Sequence, residues 1–300
     1  MDERKDINAR WLWHALLCLA CAGLAQAHTP VLPDVVVSAP ASNRIEACWA
    51  QLTAPVQVSI TPAADHICGA VDWCLTADGD IMFVWEEALA NGSDWDVYAQ
   101  RFSRGGLQRW PANLLVNGFR GNQRYPRVAA ADDGGAYIVW QSDSASRDNV
   151  NIWCQRILRD GRWAWTETPT PVCTASRNQV RPVIAGDSDG SAIITWVDYR
   201  NGNADVYAQR MHADGAPFVS DDGVAVVTAA GDQNNVRFEY DTNGYATAIV
   251  WDDNRPELRQ PIQVKTDLSQ LPIPEPGCAL FLMALAAAAS RFRQARSPRR

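Results

Sequence analysis

The residues that could do chemistry in this chain are mostly acids in tight turns. Asp132-Asp133-Gly134-Gly135, Asp187-Ser188-Asp189-Gly190 and Asp241-Thr242-Asn243-Gly244 each set two or three oxygen donors close together, as Ca2+ requires. None follows the twelve-position spacing of an EF-hand, and the same residue types are ordinary hairpin-turn formers, so a calcium site and a plain turn both remain open. Trp95, Trp110, Trp163 and Trp165 could stack on sugar rings or could cover sheet edges. Histidine is scarce, with only His28, His66 and His212 beyond the first 27 residues, and Gly-x-Ser-x-Gly, His-Glu-x-x-His and P-loop motifs are absent. A glycosidase needs two carboxylates brought together from separate elements. Acids are plentiful, but no pairing is visible. The expectation is a non-catalytic structural or binding module, more a non-enzyme than an enzyme, with glycoside hydrolase or polysaccharide lyase as the alternative.

The elements that would position these residues are repeats. Apolar runs end in tryptophan at Trp85, Trp140, Trp196 and Trp251, at intervals of 55, 56 and 55 residues. Asp96–Arg101, DVYAQR, returns as NIWCQR at Asn151–Arg156, as DVYAQR at Asp205–Arg210 and in degenerate form at Pro261–Lys265. Arg101, Arg156 and Arg210 thus recur at a strand end, where each could pair with a turn acid such as Asp198 or Asp96. Short Val/Ile/Tyr/Trp runs between Asp-Gly and Asn-Gly turns, with no long 3.6-residue period, predict strands over 181–185, 191–196, 205–211 and 224–228. The fold class expected is all-β, propeller-like, with about four 55-residue repeats; an open stack of sheets or a β-sandwich is the alternative. Trp85, Trp140, Trp196 and Trp251 are then packing residues between sheets. The stretch Trp196–Arg210 resembles the repeat unit of bacterial surface propellers, a likeness that carries no catalytic residue with it.

Both termini read as addresses. Residues 1–27 combine a charged start, an apolar run from Trp11 to Ala22 and the small-x-small site Ala25-Gln26-Ala27, the grammar of a secretory signal peptide. Residues 28–47 read as a linker, 48–270 as the repeat domain and 271–300 as a sorting tail. That tail holds Pro274-Glu275-Pro276-Gly277, an apolar run over 278–290 and a cluster that includes Arg291 and Arg293. At about 1.5 Å per residue the run is short for a bilayer core of about 30 Å, so it predicts a brief transmembrane helix held by positive-inside charge. The three-part tail resembles the PEP-CTERM sorting signal. The resemblance implies an exosortase-like partner and a cell-surface or extracellular-matrix destination, with polysaccharide or a surface protein as further partner.

Composition agrees with export. The formal net charge is -7 with a sequence pI of about 5.1, and removal of both terminal segments leaves the remainder more acidic, which excludes a phosphate-backbone binder. Cys48, Cys68, Cys74, Cys154 and Cys173 lie between the two terminal segments. In an oxidising compartment Cys154 and Cys173 are expected to form a disulfide, and Cys48 could join Cys68 or Cys74.

Overall fold

The computed structural model describes residues 36–38, 44–49, 56–143, 149–187, 189–219, 221–242, 244–256 and 262–268. The signal segment 1–27 and the tail 271–300, with its motif and its apolar run, lie outside the described residues.

Strand formation follows the two-residue alternation of a chain buried on both faces of each sheet. Sheet I is β1 (Val36–Ser38), β2 (Ile45–Trp49) and β3 (Val56–Ile60). Sheet II is β4 (His66–Leu75), β5 (Ile81–Leu89), β6 (Asp96–Phe102) and β7 (Leu114–Asn117). Sheet III is β8 (Asn122–Ala130), β9 (Ala136–Asp143), β10 (Val150–Ile157) and β11 (Thr170–Cys173). Sheet IV is β12 (Gln179–Gly186), β13 (Ala192–Asp198), β14 (Asp205–Met211) and β15 (Val224–Val227), and sheet V is β16 (Asp232–Tyr240), β17 (Ala246–Asn254) and β18 (Ile262–Asp267). Every pairing is antiparallel between neighbours in sequence. The result is an all-β array of five sheets.

The tryptophan period has a direct packing cause. In β5, Ile81, Phe83 and Trp85 face sheet I, whereas Met82 and Val84 face sheet III. Trp140 packs back on sheet II, Trp196 on sheet III and Trp251 on sheet IV. Each repeat therefore fills the gap to its predecessor with one indole, and Trp85, Trp140 and Trp196 are fully buried. Replacing one by alanine removes about 3–5 kcal/mol of packing. Hydrophobic clusters join I to II, II to III, III to IV and IV to V. Among the described residues none joins V back to I, and no strand pairing seals the array. The sheets form an open stack rather than a closed propeller.

Hydrogen bonds across the gaps fix the sheets laterally. The turns between the first two strands of sheets III and IV carry Gly134 and Gly190 at φ 82° and 79°, a conformation that costs glycine little. Arg101 Nη1 donates to Gly134 O at 2.5 Å and the Tyr137 hydroxyl to Gly190 O at 2.5 Å. The recurrent arginines do pair with acids, but in the first hairpin turn of their own sheet: Arg101 with Asp78 and Asp80, Arg156 with Asp133, Arg210 with Asp187. Asp198 and Asp96 lie at the other end of the sheet. Register decides this, because Arg101 stands opposite Met82 and Arg210 opposite Ile193, close to that turn.

Two expectations are corrected here. Cys154 and Cys173 are both free thiols, as are Cys68 and Cys74, and Cys48 is in no disulfide. Within the β10–β11 ladder Cys173 stands opposite Ile152 while Cys154 stands opposite Thr170, so the two side chains are out of register for a bridge. Burial pushes the Cys173 thiol up to about 12. The expected transmembrane helix is not found either: among the described residues, which do not include 278–290, no helix is long and apolar enough to cross a membrane.

Candidate functional site

The first strands of sheets II to V, β4, β8, β12 and β16, neighbour one another in turn and carry a shared irregularity. The ladder to the second strand slips between Cys68 and Val71, Arg124 and Arg127, Val180 and Val183, and Asn234 and Arg237. In the last three strands the slip puts a non-glycine residue in the left-handed region: Tyr125 at φ 55°, Arg181 at 54° and Asn235 at 52°. Such bulges re-aim side chains, and three of them at one repeat position cluster where a ligand would be met. Tyr125, Arg181 and Asn235 are exposed. Together they line a cavity of about 670 Å3 with Gln141, Tyr199 and Asn234 among its walls.

The residues after Trp85 and Trp140 hold the bulge of the next sheet in place, and the one after Trp251 holds the bulge of its own sheet. Glu86, almost wholly buried, accepts from Ala70 N at 2.9 Å and Tyr125 N at 2.8 Å, and takes both Arg124 Nε and Nη2 at 2.9 Å. Gln141 Oε1 accepts from Arg181 N at 2.9 Å, and Asp252 Oδ2 accepts from Asn235 Nδ2 at 2.7 Å. Glu86 is therefore fully engaged and unsuited to proton transfer. Gly69 is needed beside it, because a Cβ there would lie 2.2 Å from Glu86 Oε1. Arg124 also stacks 4.2 Å over Trp95.

Beside that cavity, not among the residues that line it, is Asp72 of β4. Its carboxylate accepts from Val128 N of β8 at 3.0 Å, sits 3.9 Å from Arg127, and its charge reaches Tyr240 of β16. Three sheets thus converge on it. Desolvation raises its pKa above the ordinary carboxylate value, against the lowering effects of Arg127 and the N–H groups of Val128 and Trp73. Its side chain keeps 26% exposure, so solvent or a ligand still reaches it. Desolvation in the cleft, then the Asp72 charge, raises the Tyr240 hydroxyl, although 55% of that residue is open.

A second acidic group stands at the rim of sheet II. His66 Nδ1 lies 2.8 Å from Glu87 Oε1, which also accepts from Ala63 N at 2.9 Å, while Glu87 Oε2 accepts from Trp85 Nε1 at 3.0 Å. Opposite Glu87 in the ladder is Asp96, raised to about 6 by burial and then by the charges of Asp94 and Glu87, with His66 opposing.

The sequence-derived aromatics do not converge. Trp95 borders the cleft beneath Arg124. Trp110 is buried in the cluster between sheets II and III and donates to Arg159 O at 3.2 Å, and Trp163 packs on the same cluster. Trp165 packs between sheets III and IV and donates to Ala213 O at 2.9 Å. Of the turn acids read as calcium donors, Asp133 and Asp187 hold Arg156 and Arg210, and among the described residues no group of three or more His, Cys, Asp or Glu forms a metal cage. Asp72, Glu86 and the bulge residues escaped the sequence reading. The bulge residues had a signal in the recurring Gln-x-x-Pro of Gln123–Pro126 and Gln179–Pro182, echoed at Gln233–Val236, whereas Asp72 and Glu86 had none.

No family model matches the chain, and no curated protein matches it. Solved structures do resemble it in fold. An endo-arabinase from Bacteroides thetaiotaomicron aligns at TM-score 0.46 and 12% identity, covering 79% of this chain and 94% of that one. A thermostable family-43 glycoside hydrolase aligns at TM-score 0.47 and 9% identity over 83% and 98%. An endo-1,4-beta-xylanase from the same Bacteroides species aligns at 0.41 and 11% over 80% and 91%. These values describe a similar disposition of strands. Two expectations are corrected beside them: membership in the PEP-CTERM sorting family, which no family model supports and whose motif lies outside the described residues, and the leaning toward a non-enzyme, which is withdrawn because the three structures just named are glycan-cleaving enzymes, although the likeness is one of fold alone and assigns this chain no activity.

Proposed function

We propose that this chain is an exported enzyme acting on a carbohydrate polymer, a glycoside hydrolase or polysaccharide lyase, whose substrate lies in the cleft lined by β4, β8, β12 and β16. The observation that carries this reading is Asp72: a partly open carboxylate, raised in pKa by desolvation, reached from three sheets. A carboxyl whose pKa is raised by desolvation holds its proton to higher pH than an ordinary carboxylate and is better suited to donate it to a departing glycosidic oxygen. Arg127, 3.9 Å away, stabilises the carboxylate left behind, and the Tyr240 hydroxyl offers a second proton-bearing group on the facing wall. The exposed tyrosines and amides of the cavity suit sugar rings and hydroxyls. Export rests on residues 1–27.

The test is product analysis. The secreted protein, incubated with a panel of plant and bacterial polysaccharides, is expected to shorten at least one of them, and Asp72→Asn to lose at least a hundredfold in rate while retaining binding. Unchanged turnover by Asp72→Asn would remove Asp72 from the mechanism. A panel that is bound by the wild type but never shortened would return the cleft to a binding role.

A further inference from the structure

Arginines recur on the first strands of sheets III to V in an acidic chain: Arg127 on β8, Arg181 on β12 and Arg237 on β16, the last two exposed and the first with 46% of its side chain open. Arg181 lines the cavity, and its backbone is held in the left-handed region by the bulge. Arg237 turns back toward it, its Nη1 donating to Asn235 O at 3.4 Å. Among the described residues neither Arg181 nor Arg237 has an acid within ion-pair distance. Most acids nearby already have a cation: Glu86 is paired with Arg124, Asp72 faces Arg127 and Glu239 holds Lys265, while Asp252 accepts from the neutral Asn235 amide.

A net charge of -7 would repel a polyanion from the general surface. Guanidinium groups gathered along one concave strip reverse the sign locally, and the cleft walls focus that field. Planar guanidinium matches carboxylate and sulfate in two-point geometry, which neutral sugars do not use. Resting on the carbohydrate reading above, we propose that the cleft takes an anionic polysaccharide, with Arg181 and Arg237 receiving the carboxylate or sulfate groups of successive residues.

The experiment is a titration of the full chain, at two salt concentrations, with polygalacturonate, dextran sulfate and unmodified dextran. One or both anionic polymers are expected to bind at least tenfold more tightly than dextran, with affinity falling as salt rises. Arg181→Ala combined with Arg237→Ala is expected to lose that preference, and Arg181→Lys to keep part of it. Arg159→Ala, on the opposite end of the sheets, leaves it unchanged. Melting curves confirm that the exposed substitutions preserve the fold. Polygalacturonate alone identifies carboxylate as the group read, dextran sulfate alone identifies sulfate. Equal binding of dextran, or an anionic preference that survives the double substitution, overturns this inference and leaves the carbohydrate reading standing. Binding of none of the three, with no polysaccharide of the panel cleaved, overturns both.

Discussion

Sheets II and IV contain the same six-residue strand, Asp96–Arg101 and Asp205–Arg210, and the same stacked pair, Trp85 on Tyr98 and Trp196 on Tyr207. What surrounds that pair differs. In sheet IV the buried Asp198 accepts from Trp196 Nε1 at 2.8 Å and is neutralised by Arg200 at 2.6 Å, whose guanidinium lies 4.0 Å over Tyr207 and also donates to Asp222 O. Asp205 is held by Asn201 and Asn203 at 2.7 and 2.9 Å. In sheet II the position four residues after the tryptophan is Leu89, exposed, and the connection between the last paired residues, Glu87 and Asp96, is two residues longer than that between Asp198 and Asp205. Glu87 has His66 in place of arginine, and one oxygen of Asp96 is buried without a partner. Sheet V keeps the arginine, with Arg255 on Asp253 at 2.7 Å. The same scaffold is thus sealed in one repeat and left with an unsatisfied acid in another.

The largest effect expected from this contrast is on stability. Asp198→Ala strips the partner from a buried guanidinium and an indole N–H and should cost about 3–5 kcal/mol. Glu87→Ala leaves an indole and one backbone N–H unpaired and should cost about 1–3 kcal/mol. Urea unfolding compares them, and equal losses would erase the distinction between the two sheets.

Next in size is pH dependence. Asp96 has its folded pKa raised to about 6 from an ordinary value of 3.8, so the folded state binds more protons than the unfolded chain in that interval. Its effect on stability is therefore most favourable below 3.8 and is lost as pH rises through 6. Asp96→Asn should flatten this slope and raise the neutral-pH melting temperature. A melting profile over that range with the same slope in both proteins would show that Asp96 is not the titrating group.

Leu89→Arg makes the comparison constructive. An arginine there should approach Glu87 and the Tyr98 ring, lower the Asp96 pKa and add about 1 kcal/mol. A carbon-13 NMR titration of the Asp96 carboxyl reads the shift, and an unmoved value would mean that the longer loop keeps the guanidinium away. The smallest effect concerns sulfur. With no disulfide among the five described cysteines, a reductant should leave the melting temperature unchanged, and a fall of several degrees would restore a disulfide.

The repeat was legible because one tryptophan per unit fills one gap between sheets, and a large side chain repeated at fixed spacing leaves a clear mark. Strand positions followed from it: β14 matches the expected segment, β12 extends it at both ends, β13 starts one residue later and ends two later, and β15 ends one residue short. Closure was not legible, since period says nothing about whether the last sheet meets the first. The arginine partners were misread because sequence showed that Arg101 and Arg210 recur but not that antiparallel register carries them to Asp80 and Asp187. Asp72 had no repeat signature at all. Its equivalents by register are Arg127, Val183 and Arg237, and only folding brings those four positions to one cleft.

The central claim is that carbohydrate occupies this cleft, and amide hydrogen exchange of the full chain with and without polygalacturonate, and separately dextran, tests it most directly. The account predicts slowed exchange in peptides covering 123–128, 179–184 and 233–238, where the three bulges lie, with peptides around Trp163 and Trp165 unchanged. Slowing confined to the Trp163 and Trp165 segments, or no slowing with either polymer, would contradict it.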